Sequence, residues 1–282
     1  MPTITANNCQ IFYEIADFTD PWVKDKETVW LQHGVGRSTK FWYHWVPALA
    51  RQYRVLRRDM RGHGQSADPG PAYRWSLDEL VTDMREFMDA MGLQQVHYLG
   101  ESIGGILGII FATRWPERFK SLTICNSPTS IRPAGTKAIG GQYGSAEKAL
   151  AAGGSKGWGR VMVEQRVLSG KNPDHIEWVV NEWGKTPAHV LKGIGHTLDG
   201  ADTTPLLPQV KVPTLVLAPT HSPLTPLSDQ LSMRTLIPNA RMTVIEGPSH
   251  ETYVDEPEEC IKAFLKFIRS LGEEEITKTM PE

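Results

Sequence analysis

Apolar residues along this chain come in short, dense runs separated by amphipathic stretches and by glycine-rich punctuation. Two β-like runs, Thr3 to Ile15 and Thr28 to Gln32, open it, and the second stops at His33-Gly34-Val35-Gly36. A helical stretch over about 41–50 and a strand over 53–58 lead into a glycine-rich loop, Asp59 to Ser66. Ser76, with Glu79 three residues on, has the spacing of a helix N-cap and predicts a helix to about Met91. A short apolar strand, Val96 to Leu99, then meets the turn Gly100-Glu101-Ser102-Ile103-Gly104-Gly105. A helix to Arg114 and an apolar strand, Ser121 to Cys125, follow. Strands alternating with helices predict an α/β fold, a mostly parallel sheet flanked by helices on both faces.

The rhythm changes over 127–207, where glycines crowd the stretch from Gly135 to Gly159 and the helical segments are weakly periodic. It resumes with strands Val212 to Ala218 and Ala240 to Glu246 and a helix from Pro257 to Leu271. Residues 1–126 and 208–271 therefore read as one core, 127–207 as an inserted helical lid, and 272–282 as a flexible acidic tail.

Composition narrows the function classes. With 282 residues, 40% hydrophobic and 22% charged, the chain suits one large globular domain with an insertion. A formal net charge of −2 leaves no basic footprint for nucleic acid or anionic lipid. No apolar run is long enough to span a membrane, and the opening MPTITANNCQ lacks the pattern of a secretory signal. Three widely spaced cysteines, Cys9, Cys125 and Cys260, point to a reducing cytoplasm rather than a disulfide framework. The histidines show no metal-ligand spacing, and the turn at Gly100 is no dinucleotide fingerprint, so neither a metal nor another cofactor is expected.

The chemistry concentrates at Gly100-Glu101-Ser102-Ile103-Gly104. A GxSxG turn between an apolar strand and a helix lifts a serine hydroxyl to the sheet edge, beside the unpaired N–H groups of the helix start. Ser102 is thus the candidate nucleophile. The glycine-rich turn after the earlier strand can aim the Val35 N–H at a substrate oxyanion, with the Ile103 N–H as second donor. His250, in the loop after the last strand, is the candidate general base. Arg61 and His63 read as groups that lock their own loop.

Together, His33 to Gly36, Asp59 to Ser66, Gly100 to Gly105, Cys125-Asn126-Ser127, Val212 to Leu217 and Gly247 to His250 resemble the α/β-hydrolase superfamily. Within it the chain resembles the 3-oxoadipate enol-lactonase-like esterases and lactonases. The resemblance implies a cofactor-free serine hydrolase that cleaves a small carboxylic ester or lactone through an acyl-enzyme. On the family pattern the triad aspartate falls at Ser222, and the alternative acid position at about Asn126; both are neutral. A carboxylate from elsewhere, with Asp229, Glu246 and Asp202 nearest, is the other source of charge. Two further readings stay open: a C–C bond hydrolase on the same site, and a non-hydrolytic small-molecule binder or receptor that has lost the acid.

Nine tryptophans are the remaining oddity. Trp42 and Trp45 follow the oxyanion loop, and Trp158, Trp178 and Trp183 lie in the presumed lid, so these five are candidates to face a cleft. Trp22, Trp30, Trp75 and Trp115 read as core or helix packing. Gly34, Trp158 and Trp183 are the expected substrate-binding positions, in an apolar pocket for a bulky or aromatic small molecule, the one partner expected.

Overall fold

The computed structural model describes residues 2–279, with side chains to Gly272 except Ala134. A hairpin, β1 (Thr3–Ala6) and β2 (Cys9–Ala16), turns at Asn7-Asn8, both at positive φ (46° and 56°), and so divides the single run expected over Thr3 to Ile15. Asn is among the residues that tolerate the left-handed backbone of a two-residue hairpin. Strand β3 (Thr28–Gln32) is followed by a 3₁₀ turn at Thr39–Trp42 and the short helix α1 (Trp45–Leu49), in place of one continuous helix. The core continues with β4 (Arg54–Arg58), α2 (Leu77–Ala90), β5 (Val96–Glu101), α3 (Ile103–Arg114) and β6 (Phe119–Cys125). Helices α4 (Pro133–Gly140), α5 (Ala146–Glu164), α6 (Pro173–Trp183) and α7 (Ala188–Leu198) occupy the segment after β6. Then come β7 (Thr214–Pro219), α8 (Leu227–Leu236), β8 (Ala240–Ile245), α9 (Thr252–Asp255) and α10 (Pro257–Thr279).

The eight strands form one sheet in the order β1-β2-β4-β3-β5-β6-β7-β8. The pairs β1/β2 and β2/β4 are antiparallel, and every other pair is parallel. Parallel strands need crossover helices, which cover both faces, and β3 and β5 are accordingly buried along their whole length. One face packs on α2 and α3 through residues such as Trp30, Phe87, Tyr98 and Phe111. The other packs on α1 and α10 through Trp42, Trp45, Tyr253 and Phe264. A third apolar cluster, with Phe41, Trp158, Trp183, Leu191 and Leu224, joins the segment after β3 to α5, α6 and α7.

Ser76 accepts a hydrogen bond from the Glu79 N–H at 3.1 Å, so the expected N-cap starts α2. Helix α10 runs on to Thr279 rather than ending near Leu271. Residues 273–279 hold no proline or glycine, and their Glu and Lys favour helix. The rest of the expected tail, 280–282, lies outside the described residues.

Helix α3 approaches β5 very closely. A Cβ on Gly100 would stand 2.3 Å from the Gly104 carbonyl, backbone that cannot swing aside, and one on Gly104 would stand 2.9 Å from the Gln32 carbonyl oxygen. Replacing Gly100 with Ala should therefore lower the unfolding free energy by about 3 kcal/mol. The shift of the urea midpoint measures it; an unchanged midpoint would mean that α3 can move off the sheet freely.

Candidate functional site

Strand β5 ends at Glu101 and α3 begins at Ile103, so Ser102 alone makes the turn. It does so with φ 54° and ψ −119°, backbone that a non-glycine residue adopts only at a cost of about 1–3 kcal/mol. Its neighbours hold it there. The Ser102 N–H donates to the Cys125 carbonyl at 3.0 Å, and the Ser127 hydroxyl donates to the Ser102 carbonyl at 2.7 Å. The side chain faces a cavity of about 270 Å³ that Val35 and His250 also line.

The turn after β3 is set by His33. The Met60 N–H donates to its Nε2 at 2.9 Å, so the proton sits on Nδ1 and is donated to the Gly34 carbonyl at 2.7 Å. Burial first, and then the His63 ring, hold the His33 pKa well below the usual value and keep the ring neutral. Asp59 orders the adjoining loops by accepting from the Thr39 and Gln65 N–H groups at 2.7 and 2.8 Å. Arg61 pairs with Asp83 at 2.6 Å, and His63 Nδ1 lies 3.0 Å from the Arg61 carbonyl oxygen. Both are loop-bracing contacts, away from Ser102.

His250 is fully buried. Its N–H donates to the Arg166 carbonyl at 2.9 Å, and its carbonyl accepts from the Asn126 amide. Asn126, itself at φ 49°, also accepts from the Thr252 hydroxyl at 2.9 Å. Asn126 thus braces the backbone of the histidine loop and does not orient the ring. Ring orientation falls to Ser222, whose Oγ lies 2.8 Å from Nδ1. The same Oγ accepts from the Leu224 and Thr225 N–H groups at 3.1 and 3.0 Å. Three nitrogens therefore converge on one hydroxyl, which has two lone pairs and one O–H, in a nest where a carboxylate would offer about four acceptor sites. None of the displaced carboxylates comes near: Asp229 pairs with Arg132 at 2.7 Å, Asp202 accepts from the Thr204 N–H at 2.8 Å, and Glu246 is exposed. Among the described residues, His250 Nε2 has no hydrogen-bond partner. Burial, and then the Arg37 cation, depress its pKa to about 3.

A buried ion group that composition and motif reading missed lies beside the ring. Arg37 pairs with Glu251 through Nε and sits 3.6 Å from Glu101. Glu251 also accepts from the Ser169 N–H at 2.5 Å, whereas neither Glu101 oxygen has a hydrogen-bond partner among the described residues. Burial raises the Glu101 pKa to about 7; Arg37 pulls it down and Glu251 pushes it up. The available signal was Glu101 itself, an acidic residue at the end of a strand buried along its whole length, where an unpaired carboxylate is costly.

The cavity is walled by Leu150, Trp158, Met162, Trp183, Leu191 and Leu224. Trp158 and Trp183 meet edge to face at 5.5 Å, and Trp158 Nε1 donates to the Ile139 carbonyl at 2.9 Å. Trp42 and Trp45 do not face it; they are sheet core, against Tyr253 and Phe264. Trp178 packs outside on Phe41 and Tyr43. Gly34 does not line the cavity but lies beneath it, where a Cβ would collide with Glu101 at 2.3 Å. Trp22, expected in the core, is 76% exposed. Among the described residues no cluster of His, Cys, Asp or Glu is placed to hold a metal ion, and no helix is long and apolar enough to cross a membrane.

The profile of the alpha/beta hydrolase fold matches residues 27–257. The chain belongs to that family. A 3-oxoadipate enol-lactonase of Acinetobacter baylyi is 28% identical over 244 residues, 85% of this chain and 87% of that protein. A putative carbamate hydrolase, RutD, of Pseudomonas savastanoi is 24% identical over 249 residues, covering 85% and 93%. The crystal structure of an enol-lactonase from Burkholderia xenovorans superposes with a TM-score of 0.80 at 24% identity, over 95% of this chain and all of that one. This alpha/beta hydrolase is accordingly an enzyme of the hydrolase class, with a mostly parallel eight-stranded sheet.

Glu101 makes a sign prediction for stability. Its folded pKa, about 7, lies above the ordinary 4.5, so the folded state binds more protons between those values and stability falls as pH rises through them. The total loss is about 3 kcal/mol. Urea unfolding from about pH 4 to about pH 8 should show this slope in the wild type relative to Glu101→Gln. Parallel curves for the two proteins would refute it.

Proposed function

We propose that this enzyme is a cofactor-free serine hydrolase that cleaves a small, largely apolar carboxylic ester or lactone. The observation that carries the reading is Ser102 on a strained strand-to-helix turn, sharing one cavity with a His250 whose Nε2 is unengaged. In the reaction, Ser102 Oγ attacks the carbonyl carbon and its proton passes to His250 Nε2. The Val35 and Ile103 N–H groups would receive the oxyanion, the second because the first N–H groups of a helix have no partner within it. The imidazolium then protonates the leaving oxygen. Water, deprotonated by the same nitrogen, frees the acyl-enzyme and restores Ser102.

The enol-lactonase relatives support a lactone or ester, and the cavity supports a compact one. At about 270 Å³ it is slightly smaller than the usual small-molecule pocket, and its walls are mostly apolar. The segment 127–207 is the lid in this reading, supplying Trp158 and Trp183. A reducing cytoplasm remains the proposed compartment, from the three unpaired cysteines. The neutral Ser222 favours one second reading, a binder that retains the pocket without turnover.

Ser102→Ala should abolish hydrolysis of an aryl ester, and a fluorophosphonate probe should label the wild type at Ser102. Unchanged turnover in the variant, or an unlabelled wild type, sinks the serine mechanism; the unlabelled outcome supports the binder. Trp183→Ala should raise KM for a bulky aromatic ester about ten-fold more than for an acetyl ester, as expected when a large aromatic wall is removed. Equal effects on the two substrates would argue against pocket lining.

A further inference from the structure

The alpha/beta hydrolase reading leaves a deficit of charge. In an ordinary Ser-His-acid site the acid fixes the tautomer and stabilises the imidazolium. Ser222 can touch Nδ1 but brings no charge. Losing an acid from such a site typically costs about 10⁴-fold in rate, so a hydrolase with this arrangement needs a compensating source.

That source has to be near the ring, shielded from water and not already neutralised. Glu101 meets all three conditions. Its carboxylate is 0% exposed, and Oε1 lies 3.8 Å from His250 Nε2. Glu251 is engaged through both oxygens, by Arg37 and the Ser169 N–H, while Glu101 has the longer 3.6 Å approach of Arg37 and the neighbouring Gly34 backbone N–H, which lowers its pKa less than Arg37 does. Arg37, buried and held protonated, is therefore one cation facing two carboxylates. With both ionised, the group carries one surplus negative charge while His250 is neutral. The surplus vanishes when His250 takes the serine proton. In a buried, low-dielectric setting such a difference acts on the transition state much more than it would in water.

We infer that Glu101 is a positioning residue that works through His250: its buried carboxylate, flanked by Arg37, supplies the negative charge that Ser222 does not. The inference rests on the serine-hydrolase reading. Glu101 does not itself take the Ser102 proton; that proton goes to Nε2 and returns to the leaving group. Gly34 is part of the device, because any Cβ there would displace the Glu101 carboxylate. The groups facing Glu101 are Arg37 from the oxyanion loop, His250 and Glu251 from the loop after β8, Tyr253 from α9 and Cys125 at the end of β6. Burial raises the Tyr253 and Cys125 pKa values well above ordinary, so both stay neutral and only the ionic group and His250 titrate with Glu101.

The test is the pH profile of kcat/KM for an aryl ester, from about pH 5 to about pH 9, in wild type, Glu101→Gln, Ser222→Asp and the double variant. The wild type should lose activity on the acid side with a limb centred near pH 7, where Glu101 ionises. Glu101→Gln should lose about 100-fold at high pH and lack that limb. With Asp at position 222 supplying charge from the Nδ1 side, the same Glu101→Gln change should cost less than about 10-fold. A Glu101→Gln variant within about two-fold of wild type with its limb unchanged overturns the inference. So does an equal loss in both backgrounds, the mark of a purely structural role. Should the variants not fold, the wild-type profile decides alone: activity flat from about pH 5 to about pH 8 overturns the assignment. Turnover that survives Ser102→Ala removes the underlying mechanism instead, whereas turnover that needs Ser102 but ignores Glu101 removes this inference only.

Discussion

Between β5 and α3 the chain reverses direction through one serine, and one serine can do so only in left-handed backbone. That conformation is expensive, and it persists because its surroundings leave no alternative. Gly100 and Gly104 let the helix lie directly on the strand, and the Cys125 carbonyl and Ser127 hydroxyl clamp Ser102 from the neighbouring strand end. Everything else at the site is placed relative to that point. Strand β3 brings the His33 to Gly36 turn alongside from one side, and β6, β7 and β8 bring the Asn126, Ser222 and His250 loops from the other. A parallel sheet with all these strand ends at one edge is what lets residues so far apart in sequence share a single cavity.

The fold was largely legible because its information is local and periodic. Strand ends moved by a few residues, but the order of elements and the parallel sheet follow from alternating apolar runs and amphipathic helices. Ser102 and His250 were legible because motif and chain order mark them, and Ser222 because family spacing places it beside the ring. The tryptophans show where local reasoning stops. Trp42 and Trp183 look alike in sequence, each near a predicted site element, yet one fills the sheet core and the other walls the cavity. Trp22 stands in solvent beside a strand whose own tryptophan, Trp30, is fully buried. Burial depends on which surface folds back over a residue, and that surface comes from a distant segment.

The ion group was illegible for the same reason. Arg37, Glu101 and Glu251 come from three separate segments, and no periodicity or spacing ties them together. Only the fold shows that a strand-end carboxylate, a cation from the turn after β3 and a residue next to the histidine are buried together. Buried charges of this kind add little to stability after desolvation is counted. Their presence beside Ser102 and His250 is better explained by what they do to the protonation of their neighbours.

Trp183 carries a different consequence. Its ring lies against the turn after β3 so tightly that a Cβ on Gly36 would stand 2.5 Å from it, and the Arg37 guanidinium lies over the same ring at 5.9 Å. The residue that walls the cavity is thus also a mechanical stop for the backbone of the turn after β3. Helices α4 to α7 cannot be exchanged as an independent module: a graft that moves α6 by an ångström would disturb the turn below it, and with it the Arg37 pairings. The shape of the cavity would be changed more readily at other walls, such as Leu150 or Met162, than by replacing those helices wholesale.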